Sequence, residues 1–275
     1  MLPNLIVIGA GKCGTSSLHR YLDLHPEISM SRPKELDFFA ADMNWNRGIK
    51  WYERHFREAA SVRGESSVTY SEFPHRGGVP ARMAQVVPEA KLIYLVRDPI
   101  DRIISSYVFN VSLGYIRGPL AQAVARFESN PMVAKSRYWF QLEQYLRYFP
   151  REQLLVVDQH ELREHRGETL ARIFRFLAVD ETFVSPAFAS PHNVTPQTRS
   201  RLAAAVNPRL DRLLGEARSK RIRRRFPTWL ERAFPEPIPP PVVGAELRDT
   251  LVAFLSPDVA RLRAFTGLPL DTWSL

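Results

Sequence analysis

Leu5-Ile6-Val7-Ile8-Gly9-Ala10-Gly11-Lys12-Cys13-Gly14-Thr15-Ser16-Ser17-Leu18 passes from an apolar run into a glycine-rich turn with one lysine, then into a hydroxyl-rich helix start. That order predicts a buried β-strand that delivers the chain into an anion cradle. Backbone N–H groups of the turn and the positive end of the helix meet a phosphate, and the lysine adds a full charge. The phosphate loop of nucleotide kinases follows a different pattern, G-x-x-x-x-G-K and then Ser or Thr. Here Lys12 sits mid-loop and Gly14-Thr15-Ser16 follows it, which points to a different leaving group.

Outward from that loop, β-like runs alternate with helical patterns: Leu5–Ile8, Gly64–Tyr70 (a strand opening into a loop), Lys91–Val96 and Leu154–Val157. Alternation of this kind predicts an α/β chain, a P-loop-like three-layer fold with a central parallel sheet flanked by helices. Helices are expected over about Thr15–Leu24, Ile49–Phe56, Pro80–Val87, Asp101–Leu113, Ser136–Tyr148, Glu161–Leu177, Arg199–Val206 and Ala245–Phe265. Ser190–Pro196 reads as a loop and Pro235–Pro241 as an extended proline-rich connector. The organisation expected is a single domain over 1–275, with 181–275 a less regular C-terminal flap and terminal helix.

At 275 residues, 45% hydrophobic and 24% charged, the chain can bury one sizeable core. No basic leader with a long apolar stretch is present, and no run is long enough to span a bilayer, so a cytoplasmic protein without a transmembrane segment is expected. Cys13 is the lone cysteine. It excludes an intrachain disulfide and reads as a small packing residue ahead of a low-pKa thiol. The net charge of +9 favours anionic partners. The densest basic run, Arg218 to Arg225, reads first as a solvated arginine-rich face and second as a patch for acidic polymers. Aromatic residues do not interleave with it, and no nucleic-acid partner is expected.

Two further constellations fall where a parallel sheet gathers its ligand sites, at the carboxyl ends of strands. Arg97-Asp98-Pro99 closes the clearest central strand, and Ser105 follows the arginine by eight residues, about two helical turns. An arginine there offers a planar fork suited to phosphate. Lys34-Glu35-Leu36-Asp37-Phe38-Phe39 sets a glutamate between a lysine and an apolar wall, a setting for a general base; the plainer reading is a surface charge pair before a core Phe38-Phe39 anchor.

Together these residues resemble the sulfotransferases that use 3′-phosphoadenosine 5′-phosphosulfate (PAPS). Lys12-Cys13-Gly14-Thr15-Ser16 is similar to the family's 5′-phosphosulfate loop, and Leu95-Val96-Arg97-Asp98-Pro99 with Ser105 to its 3′-phosphate motif. Lys34-Glu35 before Phe38-Phe39 resembles the base segment of the branch that includes heparan sulfate and other carbohydrate sulfotransferases, and the chain looks like a soluble member of the bacterial type. Weaker likenesses lie at Gly64-Glu65-Ser66-Ser67 with Tyr70, at Ser136-Arg137-Tyr138, and in the ending Val259–Trp273.

The resemblance implies in-line transfer of a sulfuryl group to an acceptor hydroxyl, less readily an amine, with adenosine 3′,5′-bisphosphate (PAP) as product and no required metal. It assigns Lys12 to the leaving phosphate oxygen, with Cys13, Gly14, Thr15, Ser16 and Ser17 in the 5′-phosphate cradle. Arg97 and Ser105 take the 3′-phosphate, and Glu35 takes the acceptor proton. A carbohydrate, lipid or secondary metabolite is the acceptor class implied, and acceptor contacts are expected from loops such as those bearing Trp45 and Tyr115. Departures are visible: His19 and His25 read as helix-surface residues rather than bases, and Phe109 stands where some carbohydrate-acting members carry a histidine. The family's late basic glycine loop is not recognisable, and 192–201 is its best substitute, with Arg199 as the phosphate contact. Two other readings are an ATP-dependent small-molecule kinase with a degenerate loop and a non-catalytic polyanion-binding protein. The kinase reading lacks the Gly-Lys-Ser/Thr ending that ligates magnesium.

Overall fold

Leu5, Ile6, Val7 and Ile8 are each 1% exposed or less, as the middle of a sheet covered on both faces hides consecutive side chains. The computed structural model describes residues 1–56, 60–189, 198–223 and 235–275. In it the apolar run is β1 (Leu5–Gly9), which leads through the glycine turn into α1 (Thr15–Asp23) and on to β2 (Ile28–Met30). After α2 (Ile49–Glu53) come β3 (Val62–Ser66), α3 (Val79–Val86) and β4 (Lys91–Val96). Among the described residues these strands and β5 (Leu154–Asp158) form one parallel sheet in the order β2-β3-β1-β4-β5, flanked by helices.

β1 is therefore central, and the chain moves to one side of it for β2 and β3, then crosses to the other for β4 and β5. That reversal opens a crevice at the carboxyl end of β1, where open α/β sheets bind ligands. The strand order alone thus puts the Lys12 turn at the mouth of the crevice.

β4 runs into α4 (Pro99–Ser112) through a strong start signal. Asp98 accepts from the amides of Ile100 at 2.8 Å and Asp101 at 3.0 Å, and Pro99 takes the first helical position, where its missing N–H costs nothing. The one-turn helices α5 (Leu120–Ala123) and α6 (Pro131–Ala134) lead to α7 (Tyr138–Tyr145). Beyond β5 lie α8 (Gln159–Glu164) and α9 (Arg166–Leu177), then β6 (Thr198–Ser200), α10 (Arg201–Leu214), α11 (Glu216–Arg223), β7 (Pro235–Pro237) and α12 (Ala245–Thr266). α12 buries Leu251 and Leu255 against Ile100, Ile103 and Val111 of α4, and its Asp258 accepts from the α7 amides of Trp139 and Phe140 at 2.9 Å each.

Several sequence expectations are corrected. Ile28–Met30, two apolar residues around a serine, is too short to show a period, yet it pairs in parallel with β3 as an edge strand. The run from Gly64 is, as expected, a strand that opens into a loop: it leaves the sheet at Ser66, and the loop forms a 3-10 turn over Val68–Ser71. The single helix expected over Glu161–Leu177 is two, broken at His165. Pro235–Pro237 is not a bare connector but pairs antiparallel with Thr198–Ser200. His25 is buried at 1% exposure, its Nε2 3.0 Å from the Asp180 carbonyl and its ring against Phe174 and Phe183. The loop 190–196 lies outside the described residues, apart from which no described helix is long and apolar enough to cross a membrane.

Candidate active site

The loop after β1 is shaped by residues without bulk. At Gly9, with φ near +142°, a Cβ would lie 2.0 Å from Ser71 Oγ, so no other residue fits. Ala10 N–H donates to the Leu95 carbonyl at 2.8 Å, which ties the turn to β4. Gly14 caps α1 in the left-handed region (φ 89°) and brings no side chain to the first amides of the helix. Gly14, Thr15, Ser16 and Ser17 all line a cleft of about 1150 Å³. A helix start presented to a cleft in this way suits an anion.

Lys12 projects into the same cleft, its Nζ 4.3 Å from the centre of the Phe109 ring. Burial, then the nearby charges of Arg102 and Arg97, lower its pKa. The ammonium is held in a basic, partly dry setting that an anion would relieve. Cys13 is fully buried, its Sγ 3.5 Å from Tyr138 Oη, and burial pushes the thiol pKa up. It packs beneath the loop.

Arg97 Nη2 donates to Asp101 Oδ2 at 3.1 Å, and Arg97 and Ser105 border the cleft together, as the spacing requires. Arg102, between them on α4, was not singled out in the sequence. It is 2% exposed, and its guanidinium donates to the Gly11 carbonyl at 3.0 Å, to the Met132 carbonyl at 2.9 Å and to Ser136 Oγ at 3.0 Å. It braces the loop from below. The arginine of an R-D-P-I-D-R run at a helix start was a signal within reach, because it lies three residues past the proline on the face of Ser105 and Ser106.

Lys34 joins the second motif to the first. Its Nζ donates to Thr15 Oγ1 at 3.3 Å and to Glu35 Oε1 at 3.2 Å. Glu35 is thus held at the mouth of the phosphate loop rather than on an outer surface, while Phe38 and Phe39 anchor the segment in the core. Trp45 packs on Phe38 at 5.2 Å between ring centres and belongs to that anchor.

The other partner of Glu35 comes from the basic run. Lys220 on α11 lies 2.9 Å from Glu35 Oε2 and 2.7 Å from Asp37 Oδ2, so the run is not simply a solvated face. Ser219 is buried, and Arg223 donates to Asp211 Oδ1 at 2.9 Å and to Tyr115 Oη at 2.7 Å, while Arg218 is exposed. Residues 224 and 225 lie outside the described residues, as does the side chain of Arg199, whose backbone is in β6. A run of like charges carries no face-by-face signal, and a lysine among arginines was the one clue.

Burial pushes the Glu35 pKa up, but the ammonium groups of Lys220 and Lys34 more than offset it and hold the group down at about 2. Asp37, 1% exposed, is pushed up by burial. Lys220→Ala is therefore expected to raise the Glu35 pKa, since burial remains while only the Lys34 ammonium is left to oppose it. Carbon NMR of the Glu35 carboxyl checks this, and an unchanged value would remove Lys220 from the site.

A family model described as "Sulfotransferase domain" matches residues 2–188. The chain belongs to that family. Among curated proteins this sulfotransferase is 30% identical over 202 residues to the human bifunctional heparan sulfate N-deacetylase/N-sulfotransferase 2, across 65% of its own length. It is 32% identical over 199 residues to the human N-deacetylase/N-sulfotransferase 3, again across 65% of its length. The chain spans 22% of the length of these relatives. Among solved structures, a sulfotransferase from Alicyclobacillus acidocaldarius matches with a TM-score of 0.72 and 26% identity, over 100% of both chains. The loop of Lys12, the Arg97–Ser105 pair and Glu35 all lie inside the matched span, whereas Lys220 lies beyond it.

Proposed function

We propose that this single-domain sulfotransferase moves a sulfuryl group from PAPS to an acceptor hydroxyl by in-line displacement. The observation that carries the reading is the Lys34 bridge, which sets the Glu35 carboxylate beside Thr15 at the start of α1. A phosphate cradle and a base within one side chain of each other suit a transfer whose leaving group is held by the cradle. The fit of the donor is supported by the uncapped start of α1, the space left by Gly9 and Gly14, and the size of the cleft.

When bound, the donor supplies the sulfuryl group, and PAP departs. Lys12 Nζ and the amides at the start of α1 stabilise the charge that grows on the leaving 5′-phosphate oxygen. Arg97 and Ser105 grip the 3′-phosphate, a group ATP lacks. Glu35 accepts the acceptor proton as the new S–O bond forms. Negative charge arriving beside Lys34 competes for that ammonium, and the Glu35 pKa rises toward a useful range. None of these steps calls on a metal. A cytoplasmic setting is part of the proposal.

The similarity to N-sulfotransferases favours a second acceptor chemistry, an amine, at the same Glu35. Labelled PAPS offered with acceptors that carry one hydroxyl or one amine on the same skeleton separates the two.

The donor reading is tested by calorimetry. PAP is expected to bind without magnesium and far more tightly than ATP. Arg97→Ala should weaken PAP about 10- to 100-fold, the worth of one hydrogen bond to a charged group, while leaving adenosine 5′-phosphate unchanged. Equal loss for both nucleotides would take the 3′-phosphate away from Arg97.

A further inference from the structure

Glu65 is the penultimate residue of β3, is fully buried, and does not line the cleft. Three hydroxyls surround it: Tyr52 Oη and Tyr70 Oη each lie 2.7 Å from Oε1, and Ser67 Oγ lies 3.2 Å from Oε2. Two of the three reach onward to the Glu35 segment. Tyr70 Oη accepts the amides of Phe38 at 2.8 Å and Phe39 at 3.3 Å, and Ser67 Oγ accepts the amide of Asp37 at 3.0 Å. The amide of Glu35 itself is taken by the Ser66 carbonyl at 2.9 Å.

The direction of these bonds is forced. An amide only donates, so Tyr70 and Ser67 must meet it with lone pairs and turn their single protons toward Glu65. A carboxylate accepts all three hydroxyl protons, whereas a carboxylic acid brings a fourth proton and leaves either it or one hydroxyl without an acceptor in a buried place. The segment needs holding, because Glu35 (φ 63°) and Asp37 (φ 51°) both occupy the left-handed region that non-glycine residues avoid.

We propose that Glu65 is a positioning residue: as a carboxylate, and only so, it holds the Glu35 segment at the phosphate loop through Tyr70 and Ser67. The kinetic part of this rests on the sulfuryl-transfer reading; the structural part does not. Charged and titratable groups face Glu65 from each side: Tyr52 from α2, Tyr70 from the turn after β3, Asp37 from the Glu35 segment, and His19 of α1 through Ser66, 2.9 Å from its Nδ1. Burial pushes both tyrosines well above their ordinary range, so they remain donors. Burial and Lys34 hold His19 down at about 4, neutral where Glu65 titrates. Burial raises Glu65 itself to about 7, against the pull of its hydroxyl partners. The segment is accordingly held firmly above that pH and loosened below it.

The test uses Glu65→Gln and the milder Ser67→Ala. In the wild type the amide signals of Phe38 and Phe39, followed by nitrogen-15 NMR from pH 5 to 9, should move with an apparent pKa of about 7. In Glu65→Gln that inflection should vanish. With labelled PAPS, kcat should fall roughly 10- to 100-fold in Glu65→Gln, the scale of a displaced reacting group, and less in Ser67→Ala, with PAP affinity unchanged in both. The acid limb of kcat/KM near neutrality, which reports the unliganded enzyme, should be lost with Glu65. An inflection that persists in Glu65→Gln belongs to Asp37 and overturns the proposal, as does wild-type kcat in Ser67→Ala, which decides the matter if Glu65→Gln does not fold. Absence of transfer in every form, with the amide inflection present and lost in Glu65→Gln, would contradict the sulfuryl-transfer reading and leave the role of Glu65 standing.

Discussion

Lys12→Ala should lower kcat for sulfuryl transfer by about 10²- to 10³-fold, equivalent to roughly 2.7–4 kcal/mol of barrier. The magnitude follows from where the ammonium sits. Lys12 is held over the Phe109 ring with Arg97 and Arg102 nearby, in a setting dry enough to lower its pKa. A charge there acts through less water than a surface lysine, and in the proposed reaction it meets the oxygen whose charge grows. The ground-state effect should be smaller, because the α1 amides and Arg97 still hold PAP. Single-turnover kinetics with labelled donor separates the two. A variant with unchanged kcat and weakened PAP binding would make Lys12 a binding residue only.

Glu35→Gln should cost more, in the range of about 10²- to 10⁴-fold in kcat, because the amide keeps the shape of the side chain and removes its basicity. PAP affinity is expected to change little, since Lys34 keeps Thr15 as a partner and Lys220 keeps Asp37. The sign of the pH dependence follows. The folded-state pKa of Glu35 is depressed to about 2, so its ion pairs add stability above its unfolded value near 4.5 and lose it as pH falls through 2. Between pH 5 and 8 the unliganded Glu35 stays ionised and contributes no acid limb. An acid limb of kcat/KM near neutrality, which reports the unliganded enzyme, therefore belongs to Glu65, and it should survive in the residual activity of Glu35→Gln.

What the sequence made legible follows from which signals are local. β1, β4 and β5 are continuous apolar runs, and the Lys12 turn and the Asp98-Pro99 helix start carry their chemistry within a few residues. Glu35 was legible through its lysine neighbour and the two phenylalanines behind it. β2 was not, because its three residues gain their strand character from pairing with β3. His25 and Lys220 were misjudged for the same physical reason. Nothing near either residue in the chain announces the distant partners, Phe174 and Phe183 for one and Glu35 and Asp37 for the other. Arg102 shows the intermediate case, visible as a helix-start arginine but defined by the carbonyls of Gly11 and Met132. Residues that hold a site tend to be read from the fold, and residues that touch its ligand from the motif.

The central claim, that one cleft holds the donor nucleotide with the base alongside, is tested most directly by a crystal structure with PAP bound. The account predicts the 5′-phosphate on Lys12 and the amides of residues 14–17, the 3′-phosphate between Arg97 and Ser105, and a Glu35 carboxylate oxygen no more than one bridging water from the site of the transferred group. A nucleotide seated elsewhere, or a Glu35 turned away from the 5′-phosphate beyond that reach, would contradict it.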